Sequence, residues 1–154
     1  MFPLRTFLRR RGHRVWGWDL GTNRGEVDAN LPKVITQVER RVAENDGEPI
    51  AMVGWSLGGV FAREVARVRP ELVSQLVTLA SPARSYSRAA GDPAAERIDV
   101  PITAFYSKRD GVVGWRGVLD KLNPHVDMIE VDSSHAGVTL DPTVWLETAR
   151  RLSS

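Results

Sequence analysis

The chain has 154 residues and a formal net charge of +2, enough length for one domain with a sizeable core and too little for two ordinary ones. Its basic residues are almost all arginine, and the one local run, Arg9, Arg10, Arg11, His13 and Arg14, reads as the solvated face of an amphipathic helix, so no nucleic-acid partner is expected. With no cysteine there is no disulfide, thiolate metal site or cysteine nucleophile, and with neither a ~20-residue apolar span nor a signal-peptide core the chain is expected to stay in the cytoplasm.

Residues 2–11 carry Phe2, Leu4, Phe7 and Leu8 at helical spacing, and Arg14 to Trp18 reads as a strand. A helix follows over Leu31 to Glu44, with Val34, Ile35, Val38 and Val42 on one side and Pro32 in its first turn. Pro49 to Gly54 is a strand, Leu57 to Arg69 a helix stopped by Pro70, and Leu76 to Ala80 a further strand. Residues 81–100, with Pro82, Gly91 and Pro93, read as an irregular excursion. Ile102 to Ser107 is a strand, Val113 to Leu122 a short helix, Val126 to Val131 a strand and Thr143 to Arg151 a closing helix. Short apolar strands alternating with helices imply an α/β domain, a mostly parallel sheet of about five strands with helices on both faces. Such sheets carry their chemistry at the carboxyl ends of the strands.

Between the strand ending at Val53 and the helix beginning at Leu57 stands Gly54-Trp55-Ser56-Leu57-Gly58. A G-x-S-x-G pattern in that setting holds a serine on a sharp turn with its hydroxyl above the sheet, and small residues two positions to either side let strand and helix approach. The amide of Leu57, at the helix N-terminus, is free to donate to a developing oxyanion. A serine hydroxyl is a poor nucleophile at neutral pH without a base and an orienting carboxylate. Asp110 lies just past the strand Ile102 to Ser107 and His135 just past Val126 to Val131, so both fall on the rim to which Ser56 is lifted. Each assignment has a plainer rival: Ser56 as a helix N-cap, Asp110 as a turn residue before Gly111, Asp99 or Asp132 as the acid, His125 or His13 as the base. Both of those histidines precede strands and belong at the opposite rim. Trp18 and Trp55 could line an acyl pocket or be plain core. No zinc-ligand spacing and no phosphate loop is present, so no metal or cofactor is expected.

Val53-Gly54-Trp55-Ser56-Leu57-Gly58-Gly59 with Ala62-Arg63-Glu64, then Thr78-Leu79-Ala80-Ser81-Pro82, then Phe105-Tyr106-Ser107-Lys108-Arg109-Asp110-Gly111-Val112-Val113 resemble the α/β-hydrolase superfamily, in particular its compact bacterial lipase and esterase-like members. The chain order Ser, Asp, His is the one that superfamily uses. The resemblance implies Ser56 as nucleophile, Asp110 as acid, His135 as general base and Leu57 as one oxyanion donor, acting on a small-molecule carboxylic ester through an acyl-enzyme with no cofactor. Rival readings are a catalytically impaired fragment acting as an interaction module, and acyl transfer or thioester, lactone or amide cleavage by the same residues. The excursion before Ile102 occupies the family's lid position and is short, which suggests a minimal lid and an open site.

The resemblance also implies a truncated domain. Arg14 to Trp18 matches the fourth family strand and the strand before Ser56 the fifth; the first three strands are missing, together with the loop that gives the second oxyanion donor. Met1 is therefore expected to be an internal or misassigned start. The missing third strand belongs between the other two, so they pair directly, or another chain fills the slot, or the slot stays open and the protein self-associates through its incomplete sheet.

Overall fold

The computed structural model describes residues 2–21, 26–84 and 97–153. Four strands, β1 (Ile50–Trp55), β2 (Val73–Leu79), β3 (Ile102–Tyr106) and β4 (Val126–Glu130), form one parallel sheet in the order β1-β2-β3-β4. Register runs Met52 to Leu76, Leu76 to Ile102 and Ile102 to Val126, so the carboxyl ends of all four strands share one rim. Among the described residues, helices α1 (Phe2–Arg10), α2 (Val27–Ala43), α3 (Leu57–Val68), the one-turn α4 (Trp115–Val118) and α5 (Pro142–Leu152) complete the regular structure, with 3-10 turns at Pro70–Leu72 and Gly137–Thr139.

Alternation along the strands divides the core in two. Ile50 and Met52 of β1, Leu76 of β2 and Ile102 and Ala104 of β3 face α2 and α3, where they meet Val34, Val38, Val60, Phe61 and Val65. Val53 and Trp55, Val77 and Leu79, and Phe105 face α1 and α5, against Leu4, Leu8, Val144 and Ala149. Both faces of the central strands are covered, and β2 from Leu76 onward and nearly all of β3 are buried. Inside the sheet's α3 side, Arg63 donates to Asp120 at 2.6 Å with both side chains buried, and Asp120 also accepts from Asn123, whose side-chain oxygen accepts from the Ile98 amide. That chain of bonds pins α3 to the segments entering β3 and β4.

Three expectations need correction. Arg14 to Trp18 joins no sheet, leaving four strands among the described residues rather than about five. Its polar contacts run to helices instead: Arg9 donates to the Val15 carbonyl, Arg14 to the Glu44 carbonyl and Gln37 to the Gly17 carbonyl. Residues that favour strands form one only beside a neighbour to pair with. Second, α2 begins at Val27, so Pro32 lies inside it rather than in its first turn. Burial of Val27 and the bonds of Asn30, backbone and side chain, to the Glu26 carbonyl extend the helix upstream of the proline. Third, the helix expected over Val113 to Leu122 is only the single turn Trp115–Val118, ended where the Asp120 carboxylate takes the Leu122 and Asn123 amides. Most of the excursion before β3, residues 85–96, lies outside the described residues.

Candidate active site

Ser56 closes β1 and opens α3 with φ 51° and ψ −123°, a conformation that L-residues rarely adopt. Its amide is tied to the Leu79 carbonyl of β2 at 2.9 Å, and its carbonyl accepts from Gly59. Its side chain does not cap α3, so the N-cap alternative does not describe it. What makes the turn sterically feasible is Gly54, where a Cβ would lie 2.4 Å from backbone atoms of Gly59, and Gly59, where a Cβ would lie 2.4 Å from Ser81 Oγ. Gly58, by contrast, has open space around it. The close approach thus depends on Gly54 and Gly59, one position beyond the pattern's second glycine.

Helix α3 starts at Leu57, whose amide, at the first helical position, has no helical carbonyl four residues back to bond. The Leu57 N–H makes no backbone hydrogen bond among the described residues, leaving a donor beside the serine hydroxyl.

Past β3, Ser107 Oγ accepts the Arg109 amide and also the Ser133 amide from the loop after β4. One buried hydroxyl therefore holds the Asp110 and His135 loops in register, a function the sequence reading missed, for nothing in its neighbourhood marks it apart from any other serine at a strand end. Asp110 Oδ1 accepts the Val112 and Val113 amides at 2.8 and 2.9 Å, while Oδ2 stands 2.8 Å from His135 Nδ1. The carboxylate side chain is 2% exposed and the imidazole 13%. Burial pushes the Asp110 carboxyl up, but the bonds from His135, Val112 and Val113 together outweigh it and hold the group below the usual carboxylate range. An ionised carboxylate can only accept, so the contact takes a proton on Nδ1, and in that tautomer of the neutral ring Nε2 carries the lone pair. Asp110 is a turn residue as well as the histidine's partner; its two oxygens divide the tasks.

His135 is also held from the other side. Trp55 Nε1 donates to the His135 carbonyl at 2.9 Å, and the indole and imidazole lie 5.3 Å apart, tilted by 40°. Trp55 immediately precedes Ser56, so the histidine rests directly on the turn that carries the serine. Among the described residues Ser56 Oγ and His135 are not hydrogen-bonded to each other. The loop beyond β4 is braced by the Ser133 hydroxyl donating to Asp141, which caps α5 through the Thr143 amide.

The competing groups lie elsewhere. Asp132 pairs with Arg109 and Asp99 with Arg97, all four side chains largely exposed. His125 is exposed at the opposite rim, where its carbonyl accepts from Ile102 at the start of β3. His13 lies in the segment between α1 and α2. A trough of about 1290 Å³ runs from Ser56 along β1, between that strand and residues 13–18, and Trp18 and Trp55 are both among its lining. Among the described residues no helix is long and apolar enough to cross a membrane.

The family model described as "alpha/beta hydrolase fold" matches residues 7–96. Solved structures share the fold. A monoacylglycerol lipase from Paleococcus ferrophilus superposes with a TM-score of 0.70 at 15% identity, over 97% of this chain and 85% of that one. MGS-MChE2, an alpha/beta hydrolase enzyme from a metagenome of lagoon sediments at Mar Chica, Morocco, gives 0.62 at 19% identity, over 79% and 68%. The esterase domain of a Rhodothermus marinus protein gives 0.60 at 19% identity, over 80% of this chain and 66% of that chain. No curated protein matches.

Proposed function

The chain belongs to the alpha/beta hydrolase fold family, and on that premise we propose that it is a serine hydrolase cleaving small-molecule carboxylic esters through an acyl-enzyme. The observation that carries the reading is the 2.8 Å contact of His135 Nδ1 with a buried, ionised Asp110, on an imidazole that rests against the residue preceding a strained Ser56. The lipase and esterase among the similar structures favour ester substrates over other acyl compounds.

In the proposed reaction His135 Nε2 takes the Ser56 hydroxyl proton as Oγ attacks the ester carbonyl carbon. Charge moves to the carbonyl oxygen, where the Leu57 amide donates. Asp110 keeps the imidazole in the Nδ1–H tautomer and offsets its positive charge. Collapse of the tetrahedral intermediate breaks the ester C–O bond as His135 returns the proton to the departing alkoxide. Water then repeats the sequence on the acyl-enzyme, releasing the acid and restoring Ser56. An oxyanion donor of this kind is worth about 10²- to 10³-fold in turnover.

A fluorophosphonate probe tests this directly. Labelling that maps to Ser56 and disappears in Ser56→Ala supports the hydrolase; a folded chain that never labels favours a non-catalytic interaction module. Relative rates on p-nitrophenyl butyrate, a thioester and an anilide decide the acyl class, and an anilide or thioester preferred by orders of magnitude would displace the ester reading.

A further inference from the structure

Among the described residues, the ring pairs Phe7 with Trp145 and Trp18 with Phe61 join groups that stay neutral, whereas Trp55 is paired with a ring that gains a charge in the proposed reaction. The indole of Trp55 and the imidazole of His135 have centroids 5.3 Å apart and planes 40° from parallel. Rings that meet edge to edge cannot come so close, because both ring radii add to a carbon–carbon contact of about 3.5 Å, so the two overlap in part through a face. The indole's hydrogen bond shows which part of it the imidazole meets. Its Nε1–H, on the electropositive rim, is engaged by the His135 carbonyl at 2.9 Å, and this leaves the π-system for the imidazole. On another side the imidazole meets Asp110 at 2.8 Å, and its side chain is 13% exposed. A cation within about 6 Å of an aromatic centroid is attracted by the electron-rich face, most strongly by that of indole, and more so where water is partly excluded.

We propose that Trp55 stabilises the protonated form of His135 through its π-system, and so assists proton transfer from Ser56 in addition to fixing the backbone of the histidine. The inference rests on the hydrolase reading above. When Nε2 takes the Ser56 proton, the imidazole becomes a cation between two electron-rich partners, the Asp110 carboxylate at Nδ1 and the indole beside the ring. Trp55 itself exchanges no proton and acts wholly through His135. The G-x-S-x-G pattern leaves the position before the serine open, and this geometry gives it an electrostatic task.

The experiment replaces Trp55 alone, by nonsense suppression in the full chain, with mono-, di-, tri- and tetrafluorotryptophan. Each fluorine withdraws density from the π-face while the ring and its N–H remain. The more acidic N–H holds the His135 carbonyl at least as well, so a loss across the series cannot come from that hydrogen bond. A methyltryptophan, bulkier than the monofluoro ring but richer in electrons, controls for size. Asp110, the Arg109 and Asp132 pair and Asp141, the charged groups of the loops around the histidine, are the same in every member. In an NMR titration of the three histidines, the His135 midpoint should fall stepwise, by about tenfold in proton affinity over the series, while His13 and His125 stay in place. On p-nitrophenyl butyrate kcat should fall in parallel with KM unchanged, and the methyl variant should match or exceed wild type. A His135 midpoint that stays put or rises overturns the proposal, as does a methyl variant that loses as much as the monofluoro one. Should the tetrafluoro chain not fold, the lower members carry the comparison. A wild-type chain inert to the fluorophosphonate probe would sink the hydrolase reading alone, since the titration still decides whether the indole stabilises the imidazolium.

Discussion

Replacing Asp110 with asparagine separates the catalytic reading from mere structural importance, because the two carboxylate oxygens do different work. Oδ1 takes the Val112 and Val113 amides, and Oδ2 faces His135 Nδ1. In Asp110→Asn the amide oxygen stays on the two backbone donors and the NH₂ group faces the imidazole, which must then present an acceptor at Nδ1 and carry its proton on Nε2. That tautomer cannot accept the Ser56 proton. The equivalent change in a serine protease triad lowers turnover about 10⁴-fold, or about 5 kcal/mol of transition-state stabilisation. Folding loses only one charge-assisted bond, about 1.5 to 3 kcal/mol, with the backbone bonds retained. The expected result is a folded variant, by circular dichroism and thermal melting, whose rate on p-nitrophenyl butyrate at pH 7 falls by about four orders of magnitude. Since the Asp110 carboxyl lies below its ordinary 3.8 when folded, its contribution to stability is full above that value and is lost as pH falls through the lower one. The melting-temperature gap between wild type and Asp110→Asn should therefore close in strong acid. A variant that retains more than a tenth of wild-type activity, or an equal loss in Asp132→Asn, would refute the assignment.

At the turn itself, Gly59→Ala should cost about 1 to 3 kcal/mol in urea unfolding, because its methyl would meet Ser81 and the buried turn has little room to yield. Gly58→Ala, with open space and a helical position, should be neutral or stabilising by up to about 1 kcal/mol; equal effects at the two sites would contradict the geometry. Trp55→Phe keeps an aromatic ring beside the imidazole but loses the donor to the His135 carbonyl, and should reduce kcat by about tenfold and lower urea stability by about 1 kcal/mol, the equivalent of one hydrogen bond; an unchanged kcat would show that the bond does not position the imidazole. Glu147, held at about 2 by Arg150 and Arg151 against an ordinary 4.5, stabilises the fold above pH 4.5 and ceases to do so as pH falls through about 2. Glu147→Gln should accordingly unfold at lower urea than wild type at pH 7, with the difference shrinking between pH 4.5 and 2; a difference independent of pH would show that the ion pairs contribute nothing.

What the sequence discloses and what it hides follow from the range of the physics involved. The strands after residue 48 and the helix after Ser56 depend on local apolar runs bounded by glycine and proline, and their limits fall within a few residues of those read from the chain. The order of Ser56, Asp110 and His135 along alternating strands was likewise legible, because a parallel sheet sends every strand end to one rim. Arg14 to Trp18 has strand-forming residues too, and the difference lies outside it: with no strand beside it among the described residues, its carbonyls take arginine and glutamine side chains from α1 and α2 instead. Pairing is a property of two segments, and a composition that suits a strand says nothing of whether the second is there. The same reasoning covers the contacts between distant loops. Ser107 reaching Ser133, and Trp55 reaching across 80 residues to His135, are set by where β3, β4 and the turn after β1 end in space, so no local pattern announces them. Gly58 and Gly59 show the limit at its finest: the two are adjacent and chemically identical, and only the position of Ser81 at the end of the neighbouring strand makes one of them indispensable.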